Sequence, residues 1–124
     1  MDNKEAITTD AMELSALVEA MQDKKAKEII NLDLSKIGTA IADYFVVCNA
    51  DSSTNVVAIC DAIEDKTYEK LGRGPIRMQG RENAFWVIMD YGNIVVHIFK
   101  TEYREFYRME DLWADAPKTI YNEE

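Results

Sequence analysis

The sequence predicts a single mixed α/β domain in which one five-stranded sheet is packed against helices. Helical and alternating hydrophobic patterns follow one another along the chain in the order α-β-β-α-β-β-β-α. The chain has 124 residues, of which 48% are hydrophobic, which suits one globular domain with its own core. Such an order of elements favours one mixed sheet covered by helices. We expect the domain to span residues 11–117, with flexible ends at residues 1–10 and 118–124.

The first helix and the first strand are predicted from two different periods. Apolar residues at helical spacing follow Asp10, which forms a capping-box pattern with Glu13, so the helix should run from about residue 11 to residue 23. Residues 30–34 then alternate between apolar and polar side chains. That alternation predicts a strand with one solvated face.

The second strand and the second helix follow. Residues 44–48 form a continuous apolar run, which is typical of a strand covered on both faces. Ser52 and its neighbours are potential N-caps, and a buried stripe then continues to about Leu71. Gly72 ends this helix.

Three strands and a last helix complete the chain. The strands are predicted at residues 76–79, 84–90 and 94–99, with a hairpin turn at residues 90–93 between the last two. The alternation of the fourth strand places its side chains on two faces: Phe85, Val87 and Met89 toward the core, and Trp86, Ile88 and Asp90 on the other face. Thr101 can cap the last helix, which Pro117 closes.

The charge balance disfavours some partners. The chain has 14 Lys and Arg residues against 23 Asp and Glu residues, for a net charge of −9. An acidic surface repels phosphate backbones, so direct nucleic-acid binding is not expected, whereas a basic protein partner is favoured. No apolar run could span a bilayer and the N-terminus does not resemble a signal peptide, so we expect a cytoplasmic protein without membrane contact. Cys48 and Cys60 fit small core residues in a reducing compartment.

The familiar catalytic and metal-binding patterns are missing from the sequence. Three Cys and His residues in all are too few for a structural zinc site, and neither common glycine-rich nucleotide loop occurs, so no cofactor or metal is expected. His97 is predicted to be a strand histidine that hydrogen-bonds a neighbour. Asp43 and Asp90 could meet at one end of the sheet, but a cap or turn role suits each better.

An apolar surface is the alternative to a reactive site. If Trp86 and Ile88 lie on an open face near Tyr91, ringed by Arg81, Glu82 and Asp90, they form aromatic anchors with a polar rim. If a helix covers that face, Trp86 is ordinary core. Strand periodicity does not distinguish the two.

Several segments together resemble the ribosomal silencing factor family, also called Iojap-like. They are Asp43-Tyr-Phe-Val-Val-Cys-Asn, Ser52-Ser53, Gly80-Arg-Glu, Trp86-Val-Ile-Met-Asp-Tyr-Gly-Asn-Ile-Val-Val-His97 and Arg104-Glu-Phe-Tyr-Arg-Met-Glu-Asp-Leu-Trp-Ala-Asp-Ala-Pro117. The resemblance covers roughly residues 12–117. The chain departs from the family after the second strand, where Thr54-Asn55 replaces an Arg-His pair, so no role of that pair transfers.

The resemblance implies a nucleotidyltransferase-like fold that lacks the catalytic signature, and a protein that is not an enzyme. It also implies a partner, the large ribosomal subunit, reached through its basic ribosomal protein L-fourteen. Binding there would block association with the small subunit and repress translation under nutrient limitation. The partner-binding residues expected from it and from the apolar surface are Trp86, Tyr91, Asp90, Ile88, Met78 and Glu82.

Two other hypotheses remain open at this point. One is a metal-dependent nucleotidyltransferase-like enzyme that uses Asp43 and Asp90. The other is a self-associating module whose homodimer buries the apolar hairpin face.

Overall fold

The computed structural model describes residues 3–38 and 41–121 of the chain. It contains four helices and six strands within those residues. The helices are α1 (Asn3–Asp23), α2 (Ser53–Leu71), α3 (Thr101–Tyr107) and α4 (Met109–Leu112). The strands are β1 (Lys27–Asp33), β2 (Tyr44–Ala50), β3 (Arg77–Gln79), β4 (Trp86–Asp90), β5 (Ile94–Lys100) and β6 (Lys118–Ile120). The predicted mixed α/β fold is confirmed, with six strands rather than five.

The strands form one mixed sheet in the order β3-β4-β5-β2-β1-β6. The central pair, β2 and β5, is parallel, and the other neighbouring pairs are antiparallel. A parallel pair needs a long crossover, and here α2, β3 and β4 provide it. The sheet therefore consists of two antiparallel halves joined along one parallel seam.

Helices α1 and α2 cover one face of the sheet, which we call the inner face. Leu17 and Met21 of α1, Ile59 and Ile63 of α2, and Val96 of β5 belong to the same fully buried cluster. Ser52 caps α2 as expected, because its side chain accepts a hydrogen bond from the backbone N–H of Asn55 at 3.1 Å. This buried cluster is the main core of the domain, and we call it the inner core.

Helix α1 is longer than the sequence predicts. It begins at Asn3, so Asp10 lies inside the helix rather than at its cap. The Asp10 carboxylate instead accepts a hydrogen bond from the Asn93 side chain. Residues 3–10, expected in a flexible segment, thus belong to α1, and residues 1 and 2 lie outside the described part.

The opposite, outer face of the sheet carries the C-terminal segment. The predicted last helix is two short helices, because Arg108 adopts a left-handed backbone conformation (φ 51°) that breaks it. Met109 packs with Phe45, Val47 and Phe99 in a second buried cluster on this face, which we call the outer cluster. The outer face is therefore partly covered and partly open.

Strands β1 and β6 differ from the sequence-based prediction. Asn31 on the supposedly solvated face of β1 is buried, so both faces of β1 are covered. Residues 118–120, expected in a flexible tail, pair with β1 as β6, and residues 122–124 lie outside the described part. Within the described residues, no helix combines the length and apolar character needed to cross a membrane.

Candidate protein-binding surface

A groove of about 210 Å³ opens on the outer face of the sheet. We call it the outer groove. Apolar side chains from three strands and the β1–β2 loop form much of it, with polar groups from β3 and β4 beside them. Its lining residues are Ile41, Phe45, Arg77, Gln79, Ile88, Asp90, Val95 and His97. An apolar depression edged by a few polar groups is the usual form of a contact site.

Trp86 lies at the start of β4 and is held on the outer face by its neighbours. Its indole is half-buried, and Nε1 donates a 3.0 Å hydrogen bond to Nδ1 of His97 on β5. The ring stacks on Phe99 with centroids 5.1 Å apart, and Tyr107 of α3 packs against it at 4.8 Å. The indole is therefore fixed in orientation and still partly accessible. This arrangement is intermediate between the two alternatives left open by the sequence, an open-face anchor and an ordinary core residue.

His97 is buried in the outer cluster and bonded to a neighbour, as predicted. Because Nδ1 accepts from Trp86, the neutral ring carries its proton on Nε2, and Nε2 has no hydrogen-bonding partner in the described part of the chain. Burial lowers the pKa of His97 from 6.5 to about 4. A neutral histidine that orients Trp86 is thus the expected state at neutral pH.

This lowered pKa predicts an acid-sensitive fold. Between pH 6.5 and about 4 the unfolded chain binds a proton at His97 that the folded chain does not bind. The free energy of unfolding should therefore fall as the pH is lowered through that window, by at most about 3 kcal/mol. Urea unfolding of the unchanged protein and of His97→Gln across this range measures the effect. If the two proteins show the same pH dependence, His97 does not titrate in this way.

Asp90 ends β4 and faces the outer groove. Its Oδ1 accepts a 2.7 Å hydrogen bond from the backbone N–H of Gly92, which stabilises the predicted hairpin turn. Ile88 lies two residues earlier on the same face, opposite His97 of β5. Trp86, Ile88 and Asp90 thus share the outer face of one strand, as the alternation predicts.

The placement of Tyr91 in the open surface is wrong. Its side chain is 1% exposed and belongs to the inner core. The hydroxyl forms a 2.9 Å hydrogen bond with Thr67 of α2, and burial raises the pKa of Tyr91 to about 12. Tyr91 therefore fastens the hairpin to α2 and offers no surface anchor.

Met78 and Glu82 are also not brought together with Trp86. Met78 is half-buried against the inner core, where its Sδ lies 3.6 Å from Sγ of Cys60, because its partner across the strands is the inward-facing Met89. Glu82 is exposed in the loop before β4. The neighbouring Arg81 of that loop is paired with Asp61 of α2 at 2.9 Å, so the loop is tied to the helix layer.

The fourth strand begins later than predicted, and this moves Phe85. Phe85 precedes β4 and is exposed, with its ring stacked on Tyr103 of α3 at 4.6 Å. Val87 and Met89 are buried in the inner core as expected. The residue before a strand does not follow the strand's alternation.

Several residues of the outer groove were not predicted from the sequence to belong to a binding surface. Val95 and His97 could have been found, because they alternate on β5 and face the same side as Ile88. Phe45 lies in a continuous apolar run, which carries no information about faces. Ile41 lies in a loop, where no sequence pattern marks an exposed apolar side chain.

The carboxylates considered for metal chemistry lie at one end of the sheet, as expected. Asp43 precedes β2 and Asp90 ends the antiparallel β4, with β5 between them. The Asp43 backbone N–H donates to the carbonyl of Asn93 at 2.9 Å. Among the described residues, no three His, Cys, Asp or Glu side chains are grouped so as to hold a metal ion.

A family model described as "Ribosomal silencing factor during starvation" matches residues 7–124 of the chain. The chain belongs to the ribosomal silencing factor family. The resemblance noted from the sequence is thereby confirmed. Ribosomal silencing factor RsfS of Bacillus subtilis is 41% identical over 98 residues, which cover 79% of this chain and 81% of that protein.

Solved structures of similar sequence share the silencing-factor fold described above. A crystal structure of a Chromobacterium violaceum protein has a TM-score of 0.77 at 31% identity and covers 92% of this chain and 88% of that one. A crystal structure of a Bacillus halodurans protein has a TM-score of 0.73 at 34% identity, covering 86% and 94% of the two chains. The mixed sheet with helices is therefore a fold that these proteins share.

Proposed function

We propose that this protein binds the large ribosomal subunit and blocks its association with the small subunit, repressing translation when nutrients are scarce. The contact on the large subunit is the basic ribosomal protein L-fourteen. The action is steric: the domain occupies a surface that the small subunit needs. This function requires a binding surface and no reactive centre.

The single observation that carries the proposal is the fixed, partly accessible Trp86 on the open side of the sheet. A tryptophan held by one hydrogen bond and three ring contacts loses little conformational freedom when a partner binds. Tryptophan is also among the residues most often found at the energetic centre of interfaces. Membership of the ribosomal silencing factor family supports a partner on the ribosome.

Charge and shape support a basic partner. The protein carries a net charge of −9, which raises the rate of encounter with a positive surface. Asp90 places a carboxylate at the outer groove, beside the apolar Ile88 and Val95. We assign Trp86 as the anchor, Ile88 as its apolar neighbour and Asp90 as the charged rim.

Trp86→Ala is expected to weaken binding to purified large subunits about thirtyfold or more, because it removes the anchor. This corresponds to roughly 2 kcal/mol of binding free energy. Sedimentation with large subunits measures the affinity, and light scattering after addition of small subunits measures their association. Unchanged protein should bind large subunits and lower the yield of joined ribosomes.

Loss of stability has to be separated from loss of contact. Trp113→Ala is the matched control, because it removes another half-buried indole from the same outer cluster. Trp86→Phe keeps a ring on Phe99 but loses the N–H that bonds His97, so it should weaken binding less than alanine does. The proposal fails if the unchanged protein does not bind large subunits. It also fails if both Trp86 variants bind large subunits with the affinity of the unchanged protein.

Self-association is the rival use of the same face. A homodimer that buries the outer groove would compete with the ribosomal partner. Light scattering of the protein with and without large subunits distinguishes the cases. If dimer formation is lost in step with ribosome binding, one surface serves both.

A further inference from the structure

We infer that helix α3 extends the binding surface of Trp86, and that exposed Phe106 receives a cationic side chain of the same basic partner. This inference rests on the proposed function, because it takes its partner from there. It assigns a contact on a different element from the β4 hairpin.

The C-terminal helices expose apolar side chains in an unusual concentration. Nine large hydrophobic side chains are exposed in the described residues, and three of them lie within seven positions of the chain. These are Phe106, Tyr107 and Leu112. Phe106 is 77% exposed, whereas Arg104 of the same helix is buried. Exposed apolar side chains concentrated in one segment of the chain are typical of a contact surface.

Ring contacts connect Phe106 with Trp86. Phe106 meets Tyr107 edge to face with centroids 5.2 Å apart, and Tyr107 packs on Trp86 at 4.8 Å. Trp86 in turn stacks on the buried Phe99. We call these four residues the aromatic row. The row begins in the outer cluster and ends in solvent, so a partner that covers Trp86 meets Tyr107 and Phe106 next to it.

The position of α3 is fixed rather than left to a mobile tail. Arg104 is buried, and its guanidinium donates to the Glu28 carbonyl at 2.6 Å and to Asn49 Oδ1 at 2.8 Å. Its Nε donates to Glu110 of α4 at 3.0 Å. One side chain thus joins both short helices to β1 and β2. This lowers the entropy that Phe106 loses on binding.

The charges around Phe106 favour a cation. Arg104 is paired with Glu110, and Arg108 with Asp111 at 2.7 Å, so both positive charges of the segment are already neutralised. Glu105, which precedes Phe106, is exposed and has no ion pair within the described residues. An exposed aromatic face on a short helix that also carries an unpaired carboxylate suits an arginine or lysine side chain.

The test is an affinity series at one position. Phe106→Ala should weaken binding to purified large subunits roughly fivefold, because it removes the aromatic face. Phe106→Tyr should bind like the unchanged protein, since it keeps that face. Phe106→Leu should weaken binding about as much as alanine, since leucine is apolar but has no ring.

The control is Tyr68→Ala, which removes another exposed aromatic side chain (61%) from α2, on the opposite side of the sheet. It should not change the affinity. Unchanged binding by Phe106→Ala overturns the inference, and unchanged binding by Phe106→Leu overturns the assignment of a cation. If Phe106→Ala binds normally while Trp86→Ala does not, the proposed function stands without this extension. If the unchanged protein fails to bind, both fail.

Discussion

Replacing Arg104 with methionine is expected to lower the free energy of unfolding by about 3–5 kcal/mol. The change removes the hydrogen bonds that Arg104 donates to the Glu28 carbonyl and to Asn49 Oδ1, and it removes the positive charge paired with the Glu110 carboxylate. Each buried acceptor left without a hydrogen bond costs about 1–3 kcal/mol, and the Glu110 side chain, which is 33% exposed, loses its ion pair as well. Denaturant unfolding measures the loss.

The matched control for Arg104 is Arg81→Ala. Arg81 forms an exposed pair with Asp61, and solvent screens such pairs, so this change should affect the free energy of unfolding little. Hydrogen exchange adds a local measurement, since α3 should lose protection in Arg104→Met before α1 does. If Arg104→Met costs no more than Arg81→Ala, the buried guanidinium does not fasten the C-terminal helices.

Replacing Gly80 with alanine is expected to cost about 3 kcal/mol or more. Gly80 has a φ of 86°, and a Cβ atom there would lie 2.1 Å from the carbonyl oxygen of Trp86. The obstructing atom belongs to the backbone of β4, so it cannot rotate away as a flexible side chain would. Overpacking and the left-handed conformation both oppose the change. Thermal unfolding should show a midpoint lower by roughly 10 °C.

Gly38→Ala is the control for Gly80→Ala. A Cβ at Gly38 meets nothing within 4 Å, so the midpoint should change little. Because Gly80 touches the backbone of Trp86, Gly80→Ala should also weaken ribosome binding under the proposed function. A Gly80→Ala protein with unchanged stability would contradict the close approach of the two backbones.

The alternation of β4 could be predicted from the sequence, and it also predicts on which face Tyr91 lies. Val87 and Met89 face inward, while Trp86, Ile88 and Asp90 face outward, as expected. The same alternation, continued by one residue, places Tyr91 inward with Met89. Tyr91 is near Trp86 in sequence, but an odd separation along a strand places two side chains on opposite faces.

Other features depend on contacts between distant parts of the chain. Met78 faces inward because β3 pairs in register with β4, and register is not visible in one short strand. The β6 strand has only three residues and no apolar alternation, so its pairing with β1 is decided by tertiary contact. The long α1 likewise overrides the capping pattern at Asp10, which bonds Asn93 of the hairpin instead.

The position of β6 has a practical use for single-molecule and pull-down work. It borders the sheet on the side away from β3 and β4, four strand intervals from β4. Neighbouring strands are about 4.8 Å apart, so that separation is roughly 19 Å. A fluorophore or affinity handle attached at the exposed Thr119 of β6 would thus leave the indole of β4 unobstructed for the ribosome.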